Sequence, residues 1–196
     1  MVIDAHVHLY PPEVGLNPET WALGAGEPHW ALLCARRRRD GRPVQSLPSV
    51  DELLRTMDAA GVGRAVLLGW YWERAETCAW QNRFYAECVH SHPDRLLAFA
   101  TVHPAAGREE TLAEVRRASD AGLVGLGELS PHSQHYALDD WVFADVLTLA
   151  GELGLPVNLH VTDPATKCIA CHNPHEPIFL LTGLIGKVVK DLTVTL

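Results

Sequence analysis

Asp4-Ala5-His6-Val7-His8 sets two imidazoles two positions apart near the start of the sequence. On a β-strand, residues i and i+2 share a face, so His6 and His8 project together and Val7 projects the other way. Paired imidazoles at a strand end can hold one divalent cation, because neutral imidazole nitrogen is a common ligand for zinc and similar metals. Asp4 falls on the same face one step lower, where it could orient a ligand from behind. Taken alone, a His-x-His pair reads first as two surface histidines on an edge strand. The strands that follow decide.

Moving outward from that pair, Val2 to Leu9 reads as a first strand. Tyr10 to Leu47 reads as a long irregular insertion rich in Pro, Gly and Trp, and a connection of that length in a compact domain is usually a lid or a substrate loop. Trp21, Trp30 and the Arg36-Arg37-Arg38-Arg39 run there fit an aromatic or anionic substrate, or a solvated basic turn. Ser49-Val50-Asp51-Glu52 is a capping box opening a helix that Gly61 stops. Ala65 to Gly69 reads as a buried strand, and Glu73 to His90 as a helix. The same alternation continues with a strand over Leu96–Val102, a helix over Arg108–Ala121 and a strand over Leu123–Leu129. A helix over Leu138–Leu153, with Asp139 and Asp140 in its first turn, precedes a strand over Pro156–Val161.

Buried strands alternating with helices predict an α/β fold with a parallel sheet. A doubly wound sheet usually carries a Gly-rich loop after its first strand, and here the first strand leads into His-Leu-Tyr-Pro-Pro. Instead, titratable groups stand at the C-terminal ends of nearly all the strands: His6 and His8, His103, Glu128 and His160. That pattern predicts a TIM-barrel-like (β/α)8 fold, whose sites assemble at that rim. The sequence from Thr162 then reads as a loop to Pro174, a helix over Glu176–Val189 and a sixth strand over Asp191–Leu196. Since such barrels typically take about 250 residues, the 196 residues here read as one C-terminally truncated barrel domain with about six strands.

Composition narrows the function. A net charge of −8 argues against a nucleic-acid partner, and the four-arginine run is too local to reverse it. The apolar segment Ile178–Val189 is about half a membrane span and contains Lys187. Five cysteines do not make a disulfide framework, and no secretory leader is legible, so a cytoplasmic location is the expectation. An unpaired strand edge at Val194 would favour a homo-oligomer. Cys168-Ile169-Ala170-Cys171-His172 has the form of a c-type haem attachment site, or with His175 a small zinc site, and it equally suits a loop with chance cysteines.

Asp4-x-His6-x-His8, Gly127-Glu128-Leu129 and Asn158-Leu159-His160, in that order on three strands, resemble the amidohydrolase superfamily, and most closely its amidohydrolase-related ("amidohydrolase 2") branch. The resemblance implies a divalent metal, zinc first and manganese or iron as alternatives, held by His6, His8 and His160. Glu128 would be a fourth or bridging ligand, or would cap a loop. The family's strand-six histidine and strand-eight aspartate have no counterpart in the sequence. The implied activity is metal-dependent hydrolysis of a small carbonyl or carboxylate substrate by a water activated on the metal. The alternatives are metal-dependent decarboxylation of an aromatic or small carboxylic acid, and a catalytically inactive fragment. For an aromatic substrate, Trp70, Tyr71 and Trp72 stand on the matching rim, where core or lid packing is the competing account. His103 is a substrate contact or a strand end, and His132 and His135 lie in the loop after the fourth strand.

Overall fold

The structure, a computed structural model, describes residues 1–160. The end of the expected fifth strand at Val161, the Cys168-Cys171-His172 motif, and the expected last helix and sixth strand lie outside the described residues. Five strands, β1 (Val2–Val7), β2 (Val62–Leu67), β3 (Leu96–Ala100), β4 (Gly125–Leu129) and β5 (Val157–Leu159), form one sheet in the order β1-β2-β3-β4-β5. All four pairings are parallel. Strand order follows chain order without a reversal, which is the winding of a barrel; a doubly wound sheet reverses at a switch point. The sheet is therefore an incomplete TIM-barrel-like arc with its helices outside.

Before β2 the chain forms α1 (Pro12–Leu16), α2 (Pro18–Ala25), α3 (Pro28–Cys34) and α4 (Val50–Ala60). The later crossovers are α5 (Ala75–Ser91), α6 (Arg108–Asp120) and α7 (Trp141–Glu152). The capping box of α4 forms as read: Ser49 Oγ accepts the Glu52 N–H at 3.2 Å, and Glu52 Oε2 accepts the Ser49 N–H at 2.8 Å. Such a cap contributes about 1 kcal/mol, whereas burying Leu53 and Met57 contributes about 1.5–3 kcal/mol each, so packing dominates the stability of α4. Gly61 ends that helix in the left-handed region at φ 68°, and β2 starts directly after it at Val62, three residues ahead of the expected Ala65. Asp140 does not sit inside the first turn of α7 but caps it, accepting the Val142 and Phe143 N–H groups at 2.8 and 3.2 Å. The main core packs Leu67, Leu96, Ala98 and Leu126 of the sheet against Tyr85 of α5, Val115 of α6 and Phe143 of α7.

The stretch after β1 corrects the sequence reading. Between Pro12 and Cys34 it is three short helices, not irregular chain, and each helix has a proline in its first position. Proline is well placed there because the first N–H of a helix has no intrahelical acceptor. Read as loop markers, these prolines are helix starts. The helices bury Val14, Ala22, Trp30, Leu33 and Cys34 in a second apolar cluster with Tyr10, Trp70, Tyr71 and Trp72.

One carboxylate fastens this insertion to the barrel. Glu27, 1% exposed, accepts the Glu73 N–H at 2.7 Å and the Arg74 N–H at 3.2 Å, just ahead of α5. In return Glu73 Oε2 accepts the His29 N–H at 2.8 Å. Burial pushes the Glu27 carboxyl up to about 7, over the opposing hydrogen bonds, and the Glu73 charge adds to the push. The folded chain therefore retains a proton that the unfolded chain has already released above its usual value of 4.5, so folding stability falls as pH rises through that window. Urea unfolding is expected to show a loss of up to about 3 kcal/mol between about pH 5 and about pH 8. Glu27→Gln is expected to flatten that pH dependence.

Candidate metal centre

The first two donors come from the end of β1. Asp4 pairs with Ala65 and Val7 with Leu67, so β1 has one residue more than β2 across this interval, and His6 lies within it. An extra residue of this kind bends a strand and re-aims its side chains. His6 Nε2 lies 3.1 Å from His8 Nε2, with the rings edge-on at 4.9 Å. The His8 Nδ1 is 2.9 Å from the Leu68 carbonyl. A carbonyl only accepts, so Nδ1 carries a hydrogen and Nε2 is the nitrogen turned to the site. Asp4 does not supply this orientation; its Oδ1 accepts the His6 backbone N–H at 3.1 Å. The orienting group is the Leu68 carbonyl, a main-chain atom that no side-chain motif reveals.

The third donor comes from β4. Leu126 pairs with Val157 and Leu129 with Leu159, again giving β4 an extra residue, here across Gly127 and Glu128. The Gly127–Glu128 peptide is cis. Its carbonyl accepts the Gly69 N–H at 2.7 Å, and its N–H donates to the Gly69 carbonyl at 2.6 Å. Gly127 has φ 130°, and a Cβ there would lie 2.5 Å from the Asn158 carbonyl oxygen. A Cβ on Gly69 would lie 2.7 Å from Thr101 Cβ and 2.8 Å from Thr101 N. Both glycines are dictated by close packing at the rim, Gly69 against Thr101 and Gly127 against Asn158.

Glu128 is 7% exposed. Its Oε2 lies 3.4 Å from His8 Nε2 and 3.9 Å from His6 Nε2, and its Oε1 lies 3.1 Å from His160 Nδ1. Burial pushes the Glu128 carboxyl up, but hydrogen bonds and charge from His160 and His8 outweigh it and bring the group down to about 2. The carboxylate is thus ionised and able to ligate. A tetrahedral ion held at about 2.1 Å separates its ligand atoms by about 3.4 Å. The separations of 3.1, 3.4 and 3.9 Å among His6, His8 and Glu128 bracket that value, so this nitrogen–oxygen donor set fits one divalent cation.

The remaining expected residues are distributed around this group. His160, directly after β5, joins it through Glu128 and packs its ring 4.6 Å from Tyr71. Trp70 sets its ring edge-on to His8 at 5.2 Å and stacks on Tyr71 at 4.3 Å. Trp72 belongs to the second apolar cluster and is fully buried. The His103 ring lines a small cavity with Ala75, Cys78, Thr111 and Glu114, and its Nδ1 is buried with no hydrogen-bond partner among the described residues. Burial lowers the pKa of that ring. His132 is exposed in the loop between β4 and α7. Sequence reasoning missed Leu68 and Gly69, although a glycine directly after a buried apolar run is a legible sign of close approach.

A family model described as amidohydrolase matches residues 3–185. No curated protein matches the chain. Among solved structures, 5-carboxyvanillate decarboxylase from Novosphingobium aromaticivorans, with manganese and 3-methoxy-4-hydroxy-5-nitrobenzoic acid bound, superposes with a TM-score of 0.66 at 19% identity. The match covers 96% of this chain and 56% of that one. The 2,6-dihydroxybenzoate decarboxylase from Rhizobium gives 0.61 at 21% identity, over 95% of this chain and 63% of that one. A probable 2-pyrone-4,6-dicarboxylic acid hydrolase from Acinetobacter baumannii, with citric acid bound, gives 0.53 at 16% identity, covering 96% and 54%. At these identities the shared property is the fold, and the chain spans somewhat more than half the length of each.

Gly127→Ala is expected to cost at least about 2 kcal/mol in urea unfolding, because the new Cβ meets backbone and φ is unfavourable for alanine. The same variant is expected to lose divalent-cation binding in a calorimetric titration, since Glu128 is the next residue.

Proposed function

We propose that this chain, which belongs to the amidohydrolase family, binds one divalent cation through His6, His8 and Glu128 and acts on a small carboxylic acid. The observation that carries the reading is the set of three ligand atoms lying within 4.8 Å of one another at the C-terminal rim. His160 would hold Glu128 in place through the contact of its Nδ1 with Oε1 at 3.1 Å. The bound cation would supply Lewis-acid polarisation of a substrate oxygen and would stabilise the charge that develops there. The nitrogen and carboxylate donors suit zinc, and also manganese or iron.

Decarboxylation of an aromatic acid is the first reading. Its support is the aromatic wall of Trp70 and Tyr71 directly behind the His8 and His160 rings. Trp70 is the main substrate contact in this reading, with His103 and His132, on the loops after β3 and β4, as further positions. The Glu128 Oε1–His160 Nδ1 contact would keep both groups at the edge of the aromatic wall. Hydrolysis of a small carbonyl compound is the second reading, favoured by the ionised Glu128 as a proton acceptor. Among the described residues no helix is long and apolar enough to cross a membrane. A cytoplasmic location and a homo-oligomeric state are part of the proposal.

Metal analysis of the purified chain is expected to give about one divalent ion per molecule. His8→Ala is expected to weaken its binding by at least about 100-fold and His160→Ala by about 10–100-fold. A panel of hydroxybenzoic acids and small lactones then separates the two reactions: release of carbon dioxide supports decarboxylation, and ring opening supports hydrolysis. A chain that stays metal-free in excess zinc and manganese would overturn the reading.

A further inference from the structure

We propose that Tyr85, together with Gln81 one helical turn before it on α5, is a positioning residue that fixes the His8 ring through the Leu68 carbonyl. The inference rests on the metal-site reading given above. Both side chains are fully buried. Their hydrogen bonds go to the main chain beside His8 and Trp70 and to the Trp72 indole.

The proton positions in this network follow from which groups can only donate and from the distances. The Trp70 N–H and the Trp72 indole N–H both point at one end of Gln81, at 2.8 and 2.7 Å. Both are donors only, so that end is the amide oxygen and the other end is the NH2 group. That NH2 donates to the Leu9 carbonyl at 3.1 Å and to the Tyr85 hydroxyl at 3.3 Å. The hydroxyl also accepts the Leu9 N–H at 3.2 Å, so its single hydrogen is left for a carbonyl. The nearer one is Leu68, at 2.8 Å, against 3.1 Å for Leu9, which Gln81 already serves. The Leu68 carbonyl therefore accepts from two donors, Tyr85 Oη–H and His8 Nδ1–H.

The groups satisfied in this way lie in the segments just beyond β1 and β2, which carry His8 and Trp70. Purely apolar packing between helix and sheet would accept Phe and Leu at these positions. The buried amide and hydroxyl are instead spent on Leu9, Leu68 and Trp70 backbone groups, each within two residues of His8 or the aromatic wall. A satisfied buried network of this kind holds its members in one geometry. Its consequence is that His8 keeps Nδ1 protonated and Nε2 turned to the cation.

Tyr85→Phe removes one hydroxyl from a buried site. It is expected to weaken manganese or zinc affinity about 10–100-fold in calorimetric titration. Nitrogen-15 NMR of the metal-free protein is expected to show His8 as the Nδ1–H form in the wild type and as a tautomer mixture in the variant. Tyr136→Phe is the matched control, because that hydroxyl is also buried and has no hydrogen-bond partner among the described residues. It is expected to change neither readout. If Tyr85→Phe does not fold, Gln81→Met breaks the same network one bond further away and is read in the same way. Unchanged metal affinity and an unchanged His8 tautomer in the folded variants would overturn the inference. A wild type that binds no metal would overturn the proposed function, and the His8 tautomer would still decide the positioning claim.

Discussion

Two hydrogen bonds between the Gly69 backbone and the Gly127–Glu128 peptide form the contact on which the rest of the rim depends. β3 lies between β2 and β4 in the sheet, yet at the C-terminal end the chain leaving β2 meets β4 directly. Neither glycine has room for a Cβ here: one on Gly69 would meet Thr101, and one on Gly127 would meet Asn158. Glu128 is thereby set beside His8 and His160, and its carboxylate is shared by the two. Burial of that carboxylate is costly, and the flanking imidazoles offset the cost.

A second layer of order surrounds this contact. The three short helices of the insertion place Tyr10, Trp21 and Trp30 around Trp72, and Trp70 and Tyr71 extend the same aromatic cluster to the histidines. Glu27 and Glu73 tie the insertion to the start of α5 by exchanging backbone hydrogen bonds. The next turns of α5 carry Gln81 and Tyr85, so one helix connects the insertion, the aromatic wall and the His8 ring. The wall is thus built from packing that also shapes the site, and the two roles weighed for Trp70 are not exclusive.

Much of the fold was legible because its causes are local. Ser49, Glu52 and Gly61 mark a helix by side-chain and backbone chemistry within a few residues. Apolar runs ending in a titratable group mark barrel strands, and His6, His8, Glu128 and His160 were found in that way. The insertion was misread because proline breaks a helix interior but starts a helix at its first position, and the two cases look alike until the next turn is seen. Strict period-two alternation puts Asp4 on the face where it would orient a histidine. The extra residue in β1 alters that alternation, and a carbonyl 60 residues away takes the role instead.

The sequence by itself determined the alternation of strand and helix, the family to which the chain belongs and the identity of the candidate ligand side chains. These follow from residue types and spacings that act over one or two turns of chain. Only the tertiary structure decided which atoms face one another. It brought ligand atoms of His6, His8 and Glu128 within 4.8 Å of one another and drew His160 in through Glu128. It also fixed the His8 tautomer with a main-chain oxygen. The physical reason is that two irregularities of register and two glycine contacts aim these groups, and both exist only between strands that are distant in sequence.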